Sequence, residues 1–289
     1  MSLRSNLNKE EQRKKAERFR DLHRASQILI LPNAWDAASA KVFERAGFDA
    51  IATTSAGIAS AYGCPDGEQM SRVDMLEAVQ RIANSVALPV SADMEAGFGN
   101  TPEEVAETAR LVLEAGAVGI NLEDGTLDKS HPLADISLQV ERIKAVRRAA
   151  DELAIPLVIN ARTDVYEIFD ASDKTLLVQA IQRGNAYREA GADCIFAISV
   201  DDKETIAALV REIAAPINVL ARHGSPTIAE LEQLGVARVS FGSIPMRATM
   251  TLVARIAEEL KQSGTYGFAQ GILTYAEVNH YFEAKGKKE

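Results

Sequence analysis

Two carboxylates, Asp93 and Glu95, and two glycines, Gly97 and Gly99, fall within the ten residues "SADMEAGFGN" (91–100). An apolar run, Leu88-Pro89-Val90, leads into them, and Thr101-Pro102-Glu103-Glu104 follows. Acids at the end of an apolar run, with no histidine or cysteine beside them, are hard oxygen donors of the kind that hold Mg²⁺ or Mn²⁺ rather than zinc. The same kind of ending recurs in "INLEDG" (Asn121, Glu123, Asp124) and in "INARTD" (Asn160, Arg162, Asp164). Asp93, Glu95 and Glu123 together are the candidate holders of a divalent metal. Mg²⁺ keeps several of its waters, so some of these acids should act through water. Asp124, taken alone, reads as a charge at the start of the following helix.

Other residues suit an anionic substrate. Arg162 is permanently charged and planar, fit to grip a carboxylate or a phosphonate, or else to form a salt bridge in an acidic mouth. Thr53-Thr54-Ser55 belong to "TTSAG", whose small side chains let backbone amides approach an anion, although a tight turn looks the same. Asn218 ends a later apolar run. Asp66, in Cys64-Pro65-Asp66-Gly67, is either a turn residue or a site acid. His131, in "DKSHPLAD", sits on a loop able to reach the mouth, and its ordinary pKa suits proton transfer near neutrality. No lysine lies in any of the apolar runs, so a Schiff-base aldolase lacks its nucleophile.

These residues need a scaffold that brings run-ends together. A phrase recurs along the chain: an amphipathic segment closing on Ala-Gly or Leu-Gly, then a short apolar run. It appears at Ala46-Gly47, Ala115-Gly116, Ala190-Gly191 and Leu234-Gly235. Glycine just past a helix supplies the left-handed cap, and an apolar run with little alternation suits a strand buried on both faces. Eight strands are expected near 28–34, 49–55, 88–95, 118–123, 156–163, 194–199, 216–221 and 237–242. Alternating strands and helices predict an α/β fold, and eight units favour a closed (β/α)₈ TIM barrel. No Gly-x-Gly-x-x-Gly opens a helix after a strand, which weakens a Rossmann alternative. Residues 8–24 read as an additional N-terminal helix under the barrel, and 273–284 as an extra C-terminal helix with Leu273, Val278, Tyr281 and Phe282 on one face. No Pro-, Gly- or Ser-rich linker divides the chain. We expect one domain over 1–289, with the barrel at about 26–262 and a C-terminal extension at 265–289.

Composition narrows the function. The formal net charge of −9 disfavours nucleic acid, which requires a basic face. No apolar stretch is long enough to span a membrane and no signal-like N-terminus is present, so a cytoplasmic protein is expected. Cys64 and Cys194 are too few for a disulfide framework or a zinc site.

The motifs "TTSAG", "PDG", "SADMEAGFGN", "INLEDG", "PLAD" and "INARTD", in this order between about residues 28 and 250, resemble the isocitrate lyase and phosphoenolpyruvate mutase superfamily. The likeness is to a carboxyphosphonoenolpyruvate phosphonomutase-like or 2-methylisocitrate lyase-like member. The resemblance implies a Mg²⁺-dependent barrel, with Mn²⁺ as a substitute, that makes or breaks a C–C or P–C bond of a small 2-oxo or 2-hydroxy carboxylate through an enolate. It also implies a homo-oligomer, a tetramer, with the C-terminal helix exchanged between subunits. Carried over by position, Asp93 matches the direct metal ligand, and Glu95 and Glu123 match acids that hold the metal through water. Arg162 matches the substrate-binding arginine, Asp66 the aspartate that closes on the site, and Thr53 to Ser55 the loop that receives the substrate carboxylate. Glu95 stands where many members have Asp. The loop "DGTLDKSHP" has no cysteine where isocitrate lyases carry a Lys-Lys/Arg-Cys-Gly-His gate, and Ile198 stands near the position of their strand-6 glutamate. Isocitrate cleavage is therefore not expected, and His131 is left as the candidate proton carrier on the loop. Two other readings remain: a phosphate-recognising barrel using the Gly224-Ser225 and Gly242-Ser243 turns, and a non-catalytic carboxylate-binding member that lost the gate residues.

Overall fold

The computed structural model describes residues 8–170 and 173–283. The outermost parts of the expected domain, 1–7 and 284–289, and the last residue of the expected C-terminal helix lie outside the described residues. Nine parallel strand segments form one sheet: β1 (Leu29–Leu31), β2 (Asn33–Ala34), β3 (Ile51–Thr53), β4 (Val90–Asp93), β5 (Gly119–Glu123), β6 (Val158–Thr163), β7 (Cys194–Ala197), β8 (Ile217–Leu220) and β9 (Arg238–Ser240). The helices are α1 (Lys9–Leu22), α2 (Ala37–Arg45), α3 (Ser55–Ala61), α4 (Arg72–Ser85), α5 (Pro102–Glu114), α6 (Ile136–Glu152), α7 (Val165–Ile168), α8 (Leu176–Glu189), α9 (Lys203–Glu212), α10 (Ile228–Gln233), α11 (Ile244–Gln262) and α12 (Tyr275–Phe282).

The strand segments are a TIM barrel's eight strands with the first one split. Proline has no N–H to give to a ladder, and Pro32 separates β1 from β2. Its carbonyl still accepts from Ala52 N at 2.9 Å. β1 pairs with β9 and β2 pairs with β3, so the ladder runs round through the two halves of this strand. Each expected strand coincides with an observed one. The predicted helix ends are also present, with Gly47, Gly116, Gly191 and Gly235 all at positive φ, where a side chain would be strained.

α5 shows how local sequence sets an element. Thr101 caps it and accepts from Glu104 N at 3.3 Å; Glu104 returns the bond to Thr101 N at 3.0 Å, and Pro102 starts the helix. α1 closes the base of the barrel. Gln12 Nε2 donates to Leu113 O at 2.6 Å, and the fully buried Phe19 lies where a Cβ on Gly119 would stand, 2.7 Å from its ring.

The eighth barrel helix leaves one face open. α11 is amphipathic over nineteen residues, yet only Met246 is buried. Met250, Leu252, Val253 and Leu260 face outward, at 45–59% exposure. α12 lies against α2, where Arg45 Nη2 donates to His280 O and Glu283 O at 2.7 and 3.0 Å. Among the described residues, no helix is long and apolar enough to cross a membrane.

Candidate active site

The cavity at the C-terminal ends of the strands measures about 210 Å³. Asp93, the last residue of β4, forms its most organised wall. One carboxylate oxygen accepts from Ser55 N at 2.9 Å and the other from Asn121 Nδ2 at 2.8 Å, while Asp93 N donates to Thr53 Oγ1 at 2.8 Å. β3, α3 and β5 thus hold Asp93 in place. Thr53, Thr54, Ser55, Asp66, Arg162 and Asn218 line the same cavity. Ser55 N is occupied by Asp93, so that amide serves the acid. Asn218 is buried and exchanges hydrogen bonds with Ser240.

Glu95 and Glu123 stand behind this wall rather than on it. Glu95 takes φ +49°, a left-handed conformation uncommon outside glycine, and accepts from Glu68 N at 2.5 Å. Gly97 makes the turn that follows: its φ is +101°, and a Cβ there would stand 2.9 Å from Val105 Cγ1. Glu123 pairs with Arg162 Nη1 at 2.8 Å. Asp164 takes the other edge of the guanidinium, with Nε at 2.5 Å and Nη2 at 3.2 Å. A guanidinium has five N–H bonds. Asp164 thus takes two of these N–H bonds, Glu123 adds an ion pair at Nη1, and the guanidinium lines the cavity.

Burial pushes the Glu95 carboxyl up to about 7, and the Asp93 and Asp66 charges add to the shift against the Glu68 amide. Burial raises Asp66 as well, with Asp93 reinforcing it. Glu123 is raised well above the usual range by burial, which outweighs Arg162. Acids on and behind these walls thus outnumber the guanidinium groups of Arg162 and Arg238, and Asp66, Glu95 and Glu123 each resist ionising. The donors are all hard oxygens, and a divalent cation supplies the missing positive charge, so the residues fit Mg²⁺. Among the described residues, no three His, Cys, Asp or Glu side chains gather tightly enough to ligate one ion directly. This suits a cation that takes one carboxylate directly, that of Asp93, and completes its shell with water, as Mg²⁺ commonly does.

His131 is not brought to this cavity. Its side chain is 82% exposed, and the ring lies against Asp128 Oδ2 at 3.2 Å and Ser130 Oγ at 3.1 Å. It borders a separate groove between the loops after β4 and β5. Asp124 is fully buried and braces the barrel, accepting from Asp164 N, Arg183 Nη1 and Tyr187 Oη at 2.8, 3.0 and 2.7 Å. The Gly242 turn gives the phosphate alternative little to work with, because the amides of Phe241 and Gly242 both donate to Asn33 Oδ1.

Three contributors were given no role by the sequence, which showed Asn121 and Asn160 only as strand-end residues and did not single out Arg238. Asn121 holds Asp93 and is itself held by Asn160 Nδ2 at 2.7 Å. Arg238 lines the lower cavity. Strand parity was the available signal for all three, since Asn121, Asn160 and Arg238 fall on inward positions of their strands.

Residues 19–261 match the family model described as phosphoenolpyruvate phosphomutase. The chain belongs to this family. It is 31% identical to a 2,3-dimethylmalate lyase of Eubacterium barkeri, over 91% of this chain and 92% of that one. It is 30% identical to a 2-methylisocitrate lyase of Halalkalibacterium halodurans, over 88% and 84% respectively. A phosphonopyruvate hydrolase solved in complex with oxalate and Mg²⁺ superposes with a TM-score of 0.80 at 26% identity, over 92% of this chain and 94% of that one. The superfamily comprises Mg²⁺-dependent lyases and mutases acting on oxo-acids, and this chain is an enzyme of that class.

Proposed function

We propose that this enzyme breaks the C–C bond beside the oxo or hydroxy carbon of a small carboxylate, with Mg²⁺ held by Asp93 directly and by Glu95 and Glu123 through water. The observation that carries the reading is the placement of Asp93, fixed by Ser55 N and Asn121, in one small cavity with the Arg162 guanidinium. When bound, the metal supplies Lewis-acid stabilisation for negative charge on the 2-oxo oxygen.

The chain's own residues do the remainder. Arg162 binds a substrate carboxylate from the cavity wall, and Glu123 and Asp164 lock the guanidinium so that little side-chain entropy is lost on binding. Thr53 and Thr54 shape the wall against which the substrate lies. Asp66 holds a proton more readily than an ordinary aspartate and faces the cavity, so it is placed to pass that proton to the carbon freed by cleavage. A cavity of about 210 Å³ is smaller than the ~300–1,000 Å³ of pockets for drug-sized ligands, so the substrate is a compact acid such as oxaloacetate.

The test is a panel of 2-oxo and 2-hydroxy acids with Mg²⁺ or EDTA, followed by product identification. The expected result is Mg²⁺-dependent cleavage or decarboxylation of a small acid, with no glyoxylate from isocitrate and no cleavage of 2-methylisocitrate. Binding without turnover across the panel would instead make this a carboxylate-binding member of the family.

A further inference from the structure

Below the acids the cavity lacks the usual apolar filling of a TIM barrel. Ser91, Asn160 and Arg238, each at least 98% buried, line it there, and each carries a polar atom with no hydrogen-bond partner: Ser91 Oγ, Asn160 Oδ1 and Arg238 Nε. Buried polar atoms in native proteins are nearly always satisfied, so three around one cavity indicate something that fills it.

Arg238 decides what kind of group that is. It opens β9 and points into the barrel, where Nη1 meets His23 Nε2 at 3.5 Å. His23 Nδ1 lies 2.8 Å from Phe19 O, which assigns the ring proton to Nδ1 and leaves Nε2 as the acceptor. His23 is therefore a neutral partner and brings no counter-charge. Arg238 forms no ion pair among the described residues. Water could satisfy its free N–H but would leave a buried cation unpaired, and such charges are normally compensated. Asp93 lines the same cavity from β4 and makes no ion pair with Arg238. Its charge is also the one committed to the metal. The cavity thus has an acidic wall on β4 and cationic walls on β6 and β9.

We propose that Arg238 forms an anion subsite that receives the distal carboxylate of a short 2-oxo or 2-hydroxy dicarboxylate, with the Ser91 hydroxyl facing the same cavity from β4. The inference rests on the oxo-acid reading above and narrows it from carboxylates in general to dianions. One end of the substrate meets Arg162 and the metal, and the other meets Arg238. Asn160 Oδ1 is an acceptor and takes a water or a substrate hydroxyl, not the anion.

Calorimetry on the Mg²⁺-loaded protein with lactate and malate tests this, because these 2-hydroxy acids differ by one carboxylate. Wild type should bind malate at least ~10-fold more tightly than lactate, a ratio that one charge-assisted contact supplies. Arg238→Gln should bring malate down to the level of lactate, leave lactate and Mg²⁺ affinity unaltered, and keep the circular dichroism of the wild type. Arg238→Lys, which retains the charge, should recover part of the malate preference. Equal wild-type affinities for the two acids, or equal losses of both in Arg238→Gln, would overturn the subsite. Bromide anomalous diffraction from metal-free crystals separates this failure from failure of the functional reading. A bromide beside Arg238, with neither acid binding, keeps the anion subsite and removes the oxo-acid reading. Both acids binding alike, with no bromide at Arg238, removes the subsite and keeps that reading. If Arg238→Gln does not fold, the lysine variant and the bromide position decide.

Discussion

Asp93 carries more of the proposed chemistry than any other single side chain, and its hydrogen bonds say what its removal would do. It is held by Ser55 N and Asn121 at the end of a strand, outside the apolar core. Asp93→Ala should therefore abolish Mg²⁺ binding in calorimetry and abolish turnover, while the protein still folds. Mg²⁺ affinity equal to that of wild type would refute the site. Glu95→Gln should weaken the metal less, because the proposed contact of Glu95 is through water. The two proton-carrier candidates also separate at this scale. Asp66 lines the cavity with a raised proton affinity, whereas His131 is bound to Asp128 and Ser130 in solvent. Asp66→Asn should lower kcat by ~10²–10⁴-fold, the usual span for general acid–base catalysis. His131→Gln should leave kcat within about twofold; a loss of that same ~10²–10⁴ span would place the histidine in the reaction. The acids at strand ends were legible because residue type and position agreed. The placement of His131 was not legible, since it depends on Thr126, which donates to His131 O, and on Asp128, which turns the ring outward.

Among the elements, the barrel strands could be read because four of the eight apolar runs followed a glycine-capped helix, two independent signals with one meaning, and the other four matched them in length and composition. The loosened eighth helix could not be read. An amphipathic pattern states that one face needs a partner, not which surface provides it. α11 has this pattern, and its face is open, with Met250, Leu252 and Val253 more than half exposed. Beyond it, Ile272 and Leu273 are exposed as well, and Val278 and Phe282 on α12 are 39% and 53% exposed. Exposed apolar residues grouped on a helix face mark an interaction site. We expect these two helices to be covered by a second copy of the chain, by exchange between subunits, as part of a tetramer. Truncation after Gly264 removes α12 and half of that surface. It should lower the mass per assembly in multi-angle light scattering; an unchanged mass, or a monomeric full-length chain, would count against this arrangement.

For the whole molecule, the acidic cavity couples metal, pH and stability. Glu95 titrates near 4.5 in an unfolded chain and at about 7 in the folded metal-free protein, raised chiefly by burial. Below 4.5 it is protonated in both states and costs nothing. As pH rises from 4.5 to 7 the unfolded chain ionises first, so the folded state binds more protons and loses stability until its own carboxyl ionises; above 7 the loss is complete. Asp66 and Glu123 are raised in the same sense. A cation at Asp93 reverses the balance, because it favours the ionised carboxylates. The metal-free protein should therefore melt at a higher temperature near pH 5 than near pH 8 as far as these acids decide it, and Mg²⁺ should raise the melting temperature far more at pH 8. At a concentration of 100 times its Kd, a ligand specific to the folded state adds about 2.7 kcal/mol. For a chain of this size that amounts to roughly 4–5 °C. Thermal melts in EDTA and in Mg²⁺ at both pH values provide the measurement, and Asp93→Ala, which lacks the metal, serves as the control. The same Mg²⁺ shift at pH 5 and pH 8, or a full shift retained in Asp93→Ala, would show that the cation binds elsewhere and that the buried acids are not its counter-charge.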